Sequence, residues 1–323
     1  MNKLSIIMYH YVRDLRNSRF PAIKGLDSSL FIEQIEYIRR HYNVVTMEQV
    51  ISCIKGDTLL PPKAALLTFD DAYTDHYTTV FPILNRFSLQ GSFFPPAKVI
   101  TTNTVLDVNK IHFTLASVED KSKILHDIKV MVESFKKEYG LESFEYYYKK
   151  LALRDRFDSE EVVFIKRLLQ VELVEDLRSK MTDRLFAKYV DVPESVFSKE
   201  LYMNEEQLSH LVRAGMHVGS HGYDHYWWNS LDKNTLEREI DLSMGFLQDI
   251  GVDLENWTAC YPYGSYDTQT EHALEARGCQ LALTTEVDVA RVNKENRYKL
   301  PRLDTNDIPK DAQEKTDDWY TKG

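Results

Sequence analysis

Cysteine is scarce in this 323-residue chain: Cys53, Cys260 and Cys279 are three residues with no paired spacing. That excludes a disulfide framework and suits a reducing compartment. No apolar run approaches the ~20 residues that span a bilayer. No block rich in Lys and Arg stands out, and the formal net charge is −10. Nucleic acid and anionic membrane surfaces are therefore poor partners. The opening residues, Met1 to Met8, carry one charge and a very short apolar run, with His10 and Arg13 close behind. A secretory signal needs a longer apolar core and a small-residue cleavage site, so the expectation is a cytoplasmic protein. Internal repeats and low-complexity segments are also missing. What is present is 43% hydrophobic residues, enough for a large core, in a length that suits one barrel domain over 1–323.

Apolar runs of strand length alternate with helical patterns. Leu4 to Val12 reads as a strand, and Ser28 to His41 as a helix with Phe31, Ile32, Ile35 and Ile38 on one face. A short strand at Val44-Val45 and a short helix from Met47 to Ile54 follow. Ala64 to Phe69 is continuously apolar, as a buried parallel strand should be. Thr74 to Phe87 reads as a helix and Gly91 to Phe94 as a strand. Further on, Met216 to Ser220, Trp257 to Tyr261 and Gln280 to Thr284 read as strands. Between them lie helices at Leu236 to Ile250 and Gln269 to Arg277, and Asn204 to Gln207 offers a capping box for another. The last 20 residues read as a loose polar tail apart from Trp319 and Tyr320.

Residues 105–200 differ. They hold one glycine, Gly140, and one proline, Pro193, in 96 residues, and helical periodicity dominates. Asp158-Ser159-Glu160-Glu161 offers a capping box ahead of Val162, Ile165, Leu168 and Leu169. This is a helical insertion within the domain, which either packs on the barrel or roofs a substrate groove. The repeated strand–helix units outside it predict an α/β fold with a parallel sheet, open or closed into a barrel.

Chemistry concentrates at strand ends. The run Ala64 to Phe69 stops at Asp70-Asp71. Alternation along an extended backbone turns these carboxylates to different sides, one toward a metal and one toward substrate. His221 and His225 follow another short run at a spacing that lets both imidazoles reach one ion if the segment is a helical turn. One Asp with two His suits zinc or a similar divalent ion. His217 competes for His221, but on an extended strand their Cα atoms lie ~13 Å apart, so His217 reads as structural. Tyr261-Pro262-Tyr263-Gly264 is a turn after a strand and suits an oxyanion hole built from a backbone N–H. All of these sit at the C-terminal ends of strands, where α/β barrels carry their active sites. The chain reads as a metal-dependent hydrolase.

The combination resembles the polysaccharide deacetylase family, carbohydrate esterase family four. The family's T-F-D-D motif stands as Thr68 to Asp71. Its H-[ST]-x-x-H motif stands as His221 to His225, with Gly222 in the Ser/Thr place. Its P-Y-G stands as Pro262-Tyr263-Gly264. The resemblance covers roughly residues 1–100 and 200–305. It implies a deformed (β/α) barrel of about seven strands, here with a large helical insertion. It also implies a divalent metal, zinc first, held by Asp71, His221 and His225. Asp70 would take the proton of the attacking water, and the Tyr263 N–H would face the oxyanion.

Two departures matter. The Arg that many members carry shortly before P-Y-G is missing from Thr258-Ala259-Cys260-Tyr261, and Arg302 is the replacement expected from Leu300-Pro301-Arg302-Leu303. The late L-x-H motif is also missing, while Ile7-Met8-Tyr9-His10 has the same form at the N-terminus. Members that act on poly-N-acetylglucosamine have a similar permuted motif order, so His10 is the expected general acid. The implied activity is removal of acetate from an N-acetylated sugar. The expected substrate is a cytoplasmic intermediate of surface polysaccharide synthesis: nucleotide-linked, lipid-linked or an oligosaccharide. Trp227, Trp228, Tyr223 and Tyr226 are either a sugar-stacking wall or core. A deformylase, an O-deacetylase or a catalytically silent glycan-binding protein are the competing functions. Oligomeric state is not legible.

Overall fold

A computed structural model describes residues 2–154 and 158–323. It divides into two compact units, one of residues 1–14, 25–104 and 198–323, the other of 15–24 and 105–197.

The first unit is a deformed (β/α) barrel. Strand β1, Lys3–Tyr9, lies parallel to β2, Ala64–Asp70, in unbroken register from Leu4↔Ala64 to Tyr9↔Phe69. Next come β3, Ser92–Phe94, and β4, His217–Val218, both parallel. A single parallel bridge, Ser220↔Ala259, passes the ring on to β5, Ala259–Cys260, which pairs with β6, Ala282–Leu283. Leu283 bridges Leu300, and that segment runs into β7, Leu303–Asp304, which pairs with the other edge of β1. Among the described residues β1 to β7 thus close a ring of seven parallel staves, the later ones much shorter than their apolar runs suggest. Gly219 explains one abrupt stop. A Cβ there would sit 2.6 Å from the Phe94 ring and from Thr258 Oγ1, so only glycine lets the neighbouring staves approach this closely.

Strand periodicity sorts the side chains. Leu4, Ile6, Ala64, Leu66, Phe94, Cys260, Leu283 and Leu300 share one buried apolar cluster. Ile7, Tyr9, Ala65, Leu67 and Phe69 belong to another, with Phe31, Ile35 and Ile38 of helix Ser28–His41. The two-residue repeat that sends Leu66 into the first cluster sends Thr68 and Asp70 the same way. The same parity carries Leu4 and Ile6 on to His10, and Leu300 on to Arg302. Polar residues therefore form the rim above an apolar barrel floor.

Three local expectations change. The helix expected at 74–87 forms over 74–86 but is not regular: a wide turn, His76–Val80, leads into the α-helical stretch Phe81–Arg86. Pro82 has no N–H for the Thr78 carbonyl, so the regular ladder cannot run through it. The C-terminal residues are not a loose tail. Asp317 accepts hydrogen bonds from Tyr37 (2.9 Å) and Tyr42 (3.0 Å) and caps a helix, Asp318–Lys322. Gln34 donates to the carbonyls of Thr305 and Ile308, and Ile308 and Ala312 are buried. Finally, the expected box at Asp158 to Glu161 is a simple cap: Ser159 accepts from Val162 N, while Asp158 pairs with Lys166 at 2.7 Å.

In the second unit residues 105–197 carry helices and, among the described residues, no strand, while 15–24 form turns. Its long helices, Ser122–Tyr139 and Glu175–Tyr189, share a core of Ile124, Ile128, Val132, Phe164, Leu168, Leu177 and Leu185. Lys110 is buried in this unit and answers Asp183 at 2.5 Å and Glu194 at 2.9 Å. No described helix in either unit is long and apolar enough to cross a membrane.

Candidate active site

Asp70 ends β2, and Asp71 follows in the left-handed region, φ 71°, with Ala72 at 54°. The carboxylates diverge because the backbone turns left-handed at Asp71, rather than by the plain alternation expected. Such a conformation costs a non-glycine residue free energy and is held here by the surroundings. The Asp71 N–H donates to Phe94 O at 3.1 Å, and the buried Tyr73 hydroxyl donates to Asp71 Oδ2 at 2.7 Å. Asp71 Oδ1 is left buried without a hydrogen bond.

That oxygen lies 3.6 Å from His221 Nε2 and 3.6 Å from His225 Nε2. The two Nε2 atoms are 3.2 Å apart. The helical turn expected here does not form: Gly222 has φ 76° and His225 φ 60°, and the segment is an irregular loop. The rings converge all the same. His221 Nδ1 lies 2.8 Å from the Cys260 carbonyl. A proton on Nδ1 satisfies that carbonyl and turns the Nε2 lone pair toward Asp71. Burial, and then the neighbouring His221, push His225 down to about 3, so its imidazole is neutral, the ligand form. An orphaned carboxylate oxygen facing two buried Nε2 atoms is a donor set that fits a divalent ion, so Asp71, His221 and His225 are a candidate metal site. His217 is elsewhere, on Thr258 Oγ1 at 2.7 Å.

Asp70 faces a different partner. Arg302 is 1% exposed and grips it with two hydrogen bonds, Nη1 to Oδ1 at 2.9 Å and Nη2 to Oδ2 at 2.7 Å. The guanidinium is itself aimed by Nε donating to Thr284 O at 2.8 Å. Burial raises the Asp70 pKa. The Arg302 charge more than offsets this and, with His221, holds the carboxyl well below the usual carboxylate range. His10 follows β1 directly, and its Nε2 lies 3.9 Å from Asp70 Oδ2 with 41% of its side chain exposed. His76, buried and neutral, bonds the His10 carbonyl through Nε2 at 2.7 Å.

Tyr263 has φ 58° in the turn Pro262–Gly264. Its ring stacks on Trp227, centroids 4.5 Å apart, and meets the His225 ring edge-on at 4.6 Å. Trp228 is fully buried and belongs to the core.

Several contributors escaped sequence reasoning. Tyr73 was signalled only by its place two residues after Asp71. Cys260, whose thiol donates to Asp70 Oδ2 at 3.5 Å, was legible only through barrel parity. Glu239, far along the chain, accepts from the amides of Tyr223 and Asp224 inside the His221–His225 loop. No local pattern pointed to it.

Residues 181–282 match the polysaccharide deacetylase family model, a span that includes both histidines and Tyr263. The poly-β-1,6-N-acetyl-D-glucosamine N-deacetylase of Escherichia coli K12 is 34% identical over 103 residues, 31% of this chain. The matched residues, about a third of the chain, are similar to a polysaccharide deacetylase domain. The aligned stretch spans only about 15% of that relative's length. Among solved structures, the Streptococcus pyogenes deacetylase PplD, in complex with acetate, superposes with TM-score 0.56 at 15% identity. It covers 94% of this chain and 92% of its own. IcaB from Ammonifex degensii gives 0.54 at 18% identity, covering 94% and 91%. At such identity these two carry the deacetylase fold across nearly the whole chain and nothing finer.

Proposed function

We propose that this chain is a metal-dependent de-N-acetylase that cleaves the acetamido group of an N-acetylated sugar to acetate and a free amine. The observation that carries the reading is the juxtaposition at one rim of two different carboxylates. Asp71 faces two buried imidazoles, and Asp70, next to it, is locked to Arg302. Asp71, His221 and His225 hold the ion, and their mixed oxygen and nitrogen donors favour zinc. When bound, it supplies Lewis acidity to the attacking water and the amide carbonyl.

The chain's own residues do the rest. Asp70, kept ionised and oriented by Arg302, accepts a proton from water. His10, partly exposed beside Asp70, gives a proton to the leaving nitrogen. The Tyr263 main chain, held left-handed, faces the developing oxyanion. The Trp227–Tyr263 stack offers an apolar face of the kind that packs on a sugar ring. The order of motifs, with the acid at the N-terminus, is the permuted one.

The match to an enzyme named for poly-β-1,6-N-acetylglucosamine supports an N-acetylglucosamine-containing glycan as substrate. A cytoplasmic, carrier-linked form of it completes the proposal, and cell fractionation checks that part. The activity is tested by screening acetate release over N-acetylated monosaccharides, sugar nucleotides and β-1,6-linked oligomers. The reading requires acetate and amine in equal amounts from at least one of them. Formate release, or ester cleavage alone, would replace it.

A further inference from the structure

The loop that carries His221 and His225 has no helix to set their spacing, and residue 222 is a glycine with no side chain to tie it down. A Cβ at Gly222 would meet Trp228 Nε1 at 3.1 Å, at a φ of +76°. The loop is instead pinned from both sides through its backbone. On one side its carbonyls are taken by the start of the segment after β3: Ala97 N donates to Gly222 O at 3.1 Å, and Lys98 N to Tyr223 O at 3.0 Å. On the other side its N–H groups point at helix Lys233–Asp249. There a single oxygen, Glu239 Oε2, accepts from Asp224 N at 2.8 Å and from Tyr223 N at 3.2 Å. Four residues on, Ser243 Oγ accepts from Ser220 Oγ at 2.8 Å, and Ser220 Oγ accepts from Gly222 N at 3.1 Å.

Glu239 is 3% exposed and, among the described residues, has no Arg or Lys hydrogen-bonded to it. The charged groups facing it are Asp224, in the loop, and Lys98, which pairs with Asp224. Burying a carboxyl in this way is costly unless it fills a specific need. The need here is two main-chain donors in a sharply turned loop, which would otherwise be left unsatisfied.

We infer that Glu239 is the positioning residue of the metal-binding loop: its carboxyl holds the Tyr223 and Asp224 amides and thereby sets the approach of His221 to His225. This rests on the metal-site reading above. Glu239 touches neither the metal site nor substrate; it acts through the loop. Loss of groups that orient metal ligands typically costs about 10–100-fold in metal affinity. One acceptor oxygen suffices for both N–H groups, so a glutamine carbonyl can replace the carboxyl.

The experiment is a cobalt(II) or zinc titration of the metal-stripped full chain, comparing wild type with Asp71→Asn, Glu239→Ala, Glu239→Met and Glu239→Gln. Glu239→Ala and Glu239→Met should weaken binding by about 10–100-fold, and Glu239→Gln should restore it to within a few-fold. Asp71→Asn should lose more than either. Near-wild-type affinity in folded Glu239→Ala or Glu239→Met, with Asp71→Asn impaired, overturns the inference and leaves the metal site standing. Failure of wild type to bind either ion overturns both. If both truncations fail to fold, amide exchange in wild type decides. Protected Tyr223 and Asp224 amides support the clamp, and fast exchange at both overturns it.

Discussion

Arg302 and Asp70, 232 positions apart, form a buried two-point ion pair in which each donor nitrogen meets its own carboxylate oxygen, at 2.9 and 2.7 Å. Removing one partner strands the other charge away from water. Arg302→Met should therefore destabilise the chain by about 3–5 kcal/mol, while the Asp70→Asn, Arg302→Met double variant should lose clearly less than the two single losses combined. Arg302→Lys keeps the charge but not the fork, and should fall between wild type and Arg302→Met. Urea unfolding of the four variants checks the order; additive losses would mean the pair is not coupled.

Asp70 and Asp71 should separate by function. Asp70→Asn leaves Asp71, His221 and His225 unchanged and removes the proton acceptor, so in the folded protein metal should stay bound while turnover falls by about 10²–10⁴-fold. Asp71→Asn should instead lose metal first. Metal content and turnover measured on the same samples distinguish the two.

His10 is assigned to the leaving group. Its replacement by alanine should slow amide cleavage by about 10²–10⁴-fold but leave an activated ester, whose leaving group needs little protonation, far less affected. Parallel rates on an N-acetyl substrate and an aryl acetate provide the comparison. Equal losses on both would move His10 out of the acid role.

Glu239 predicts a pH signature in stability. Burial, opposed by the two N–H donors, lifts its carboxyl from 4.5 to about 7. The folded chain then binds more protons than the unfolded one between those values, so this residue's contribution is fully present below the lower value and is lost as pH rises through the upper. Glu239→Gln lacks that loss. Its advantage over wild type, both metal-free, should grow from pH 4.5 to 7 and level off near ~3 kcal/mol. Unfolding midpoints across that range test it, and a pH-independent difference would contradict it.

The barrel was legible because its signals are local. The continuous run of Ala64 to Phe69, the face of Phe31, Ile35 and Ile38, and the Asn204–Gln207 cap each report burial or termination within a few residues, and each stands in the fold. What was not legible depends on partners distant in sequence. The C-terminal segment looked loose because its ties, Gln34, Tyr37 and Tyr42, lie on the first helix or at its C-terminal cap. The His221–His225 spacing suggested a helical turn, yet the geometry comes from a glycine at positive φ and a clamp on another helix. Asp70, Asp71, His221 and His225 stood out as a set because their motifs are contiguous. Tyr73, Cys260 and Glu239 did not, because only the folded barrel brings them to the rim.

On the proposed reading, one ion held by Asp71, His221 and His225 makes this rim a deacetylase. The most direct measurement is acetate release from a β-1,6-linked N-acetylglucosamine oligomer by the chelator-stripped chain, before and after one equivalent of zinc. The expected result is no release when stripped, restoration at one equivalent, and no restoration in His225→Ala. Undiminished release from the stripped chain, or full zinc rescue of His225→Ala, would contradict it.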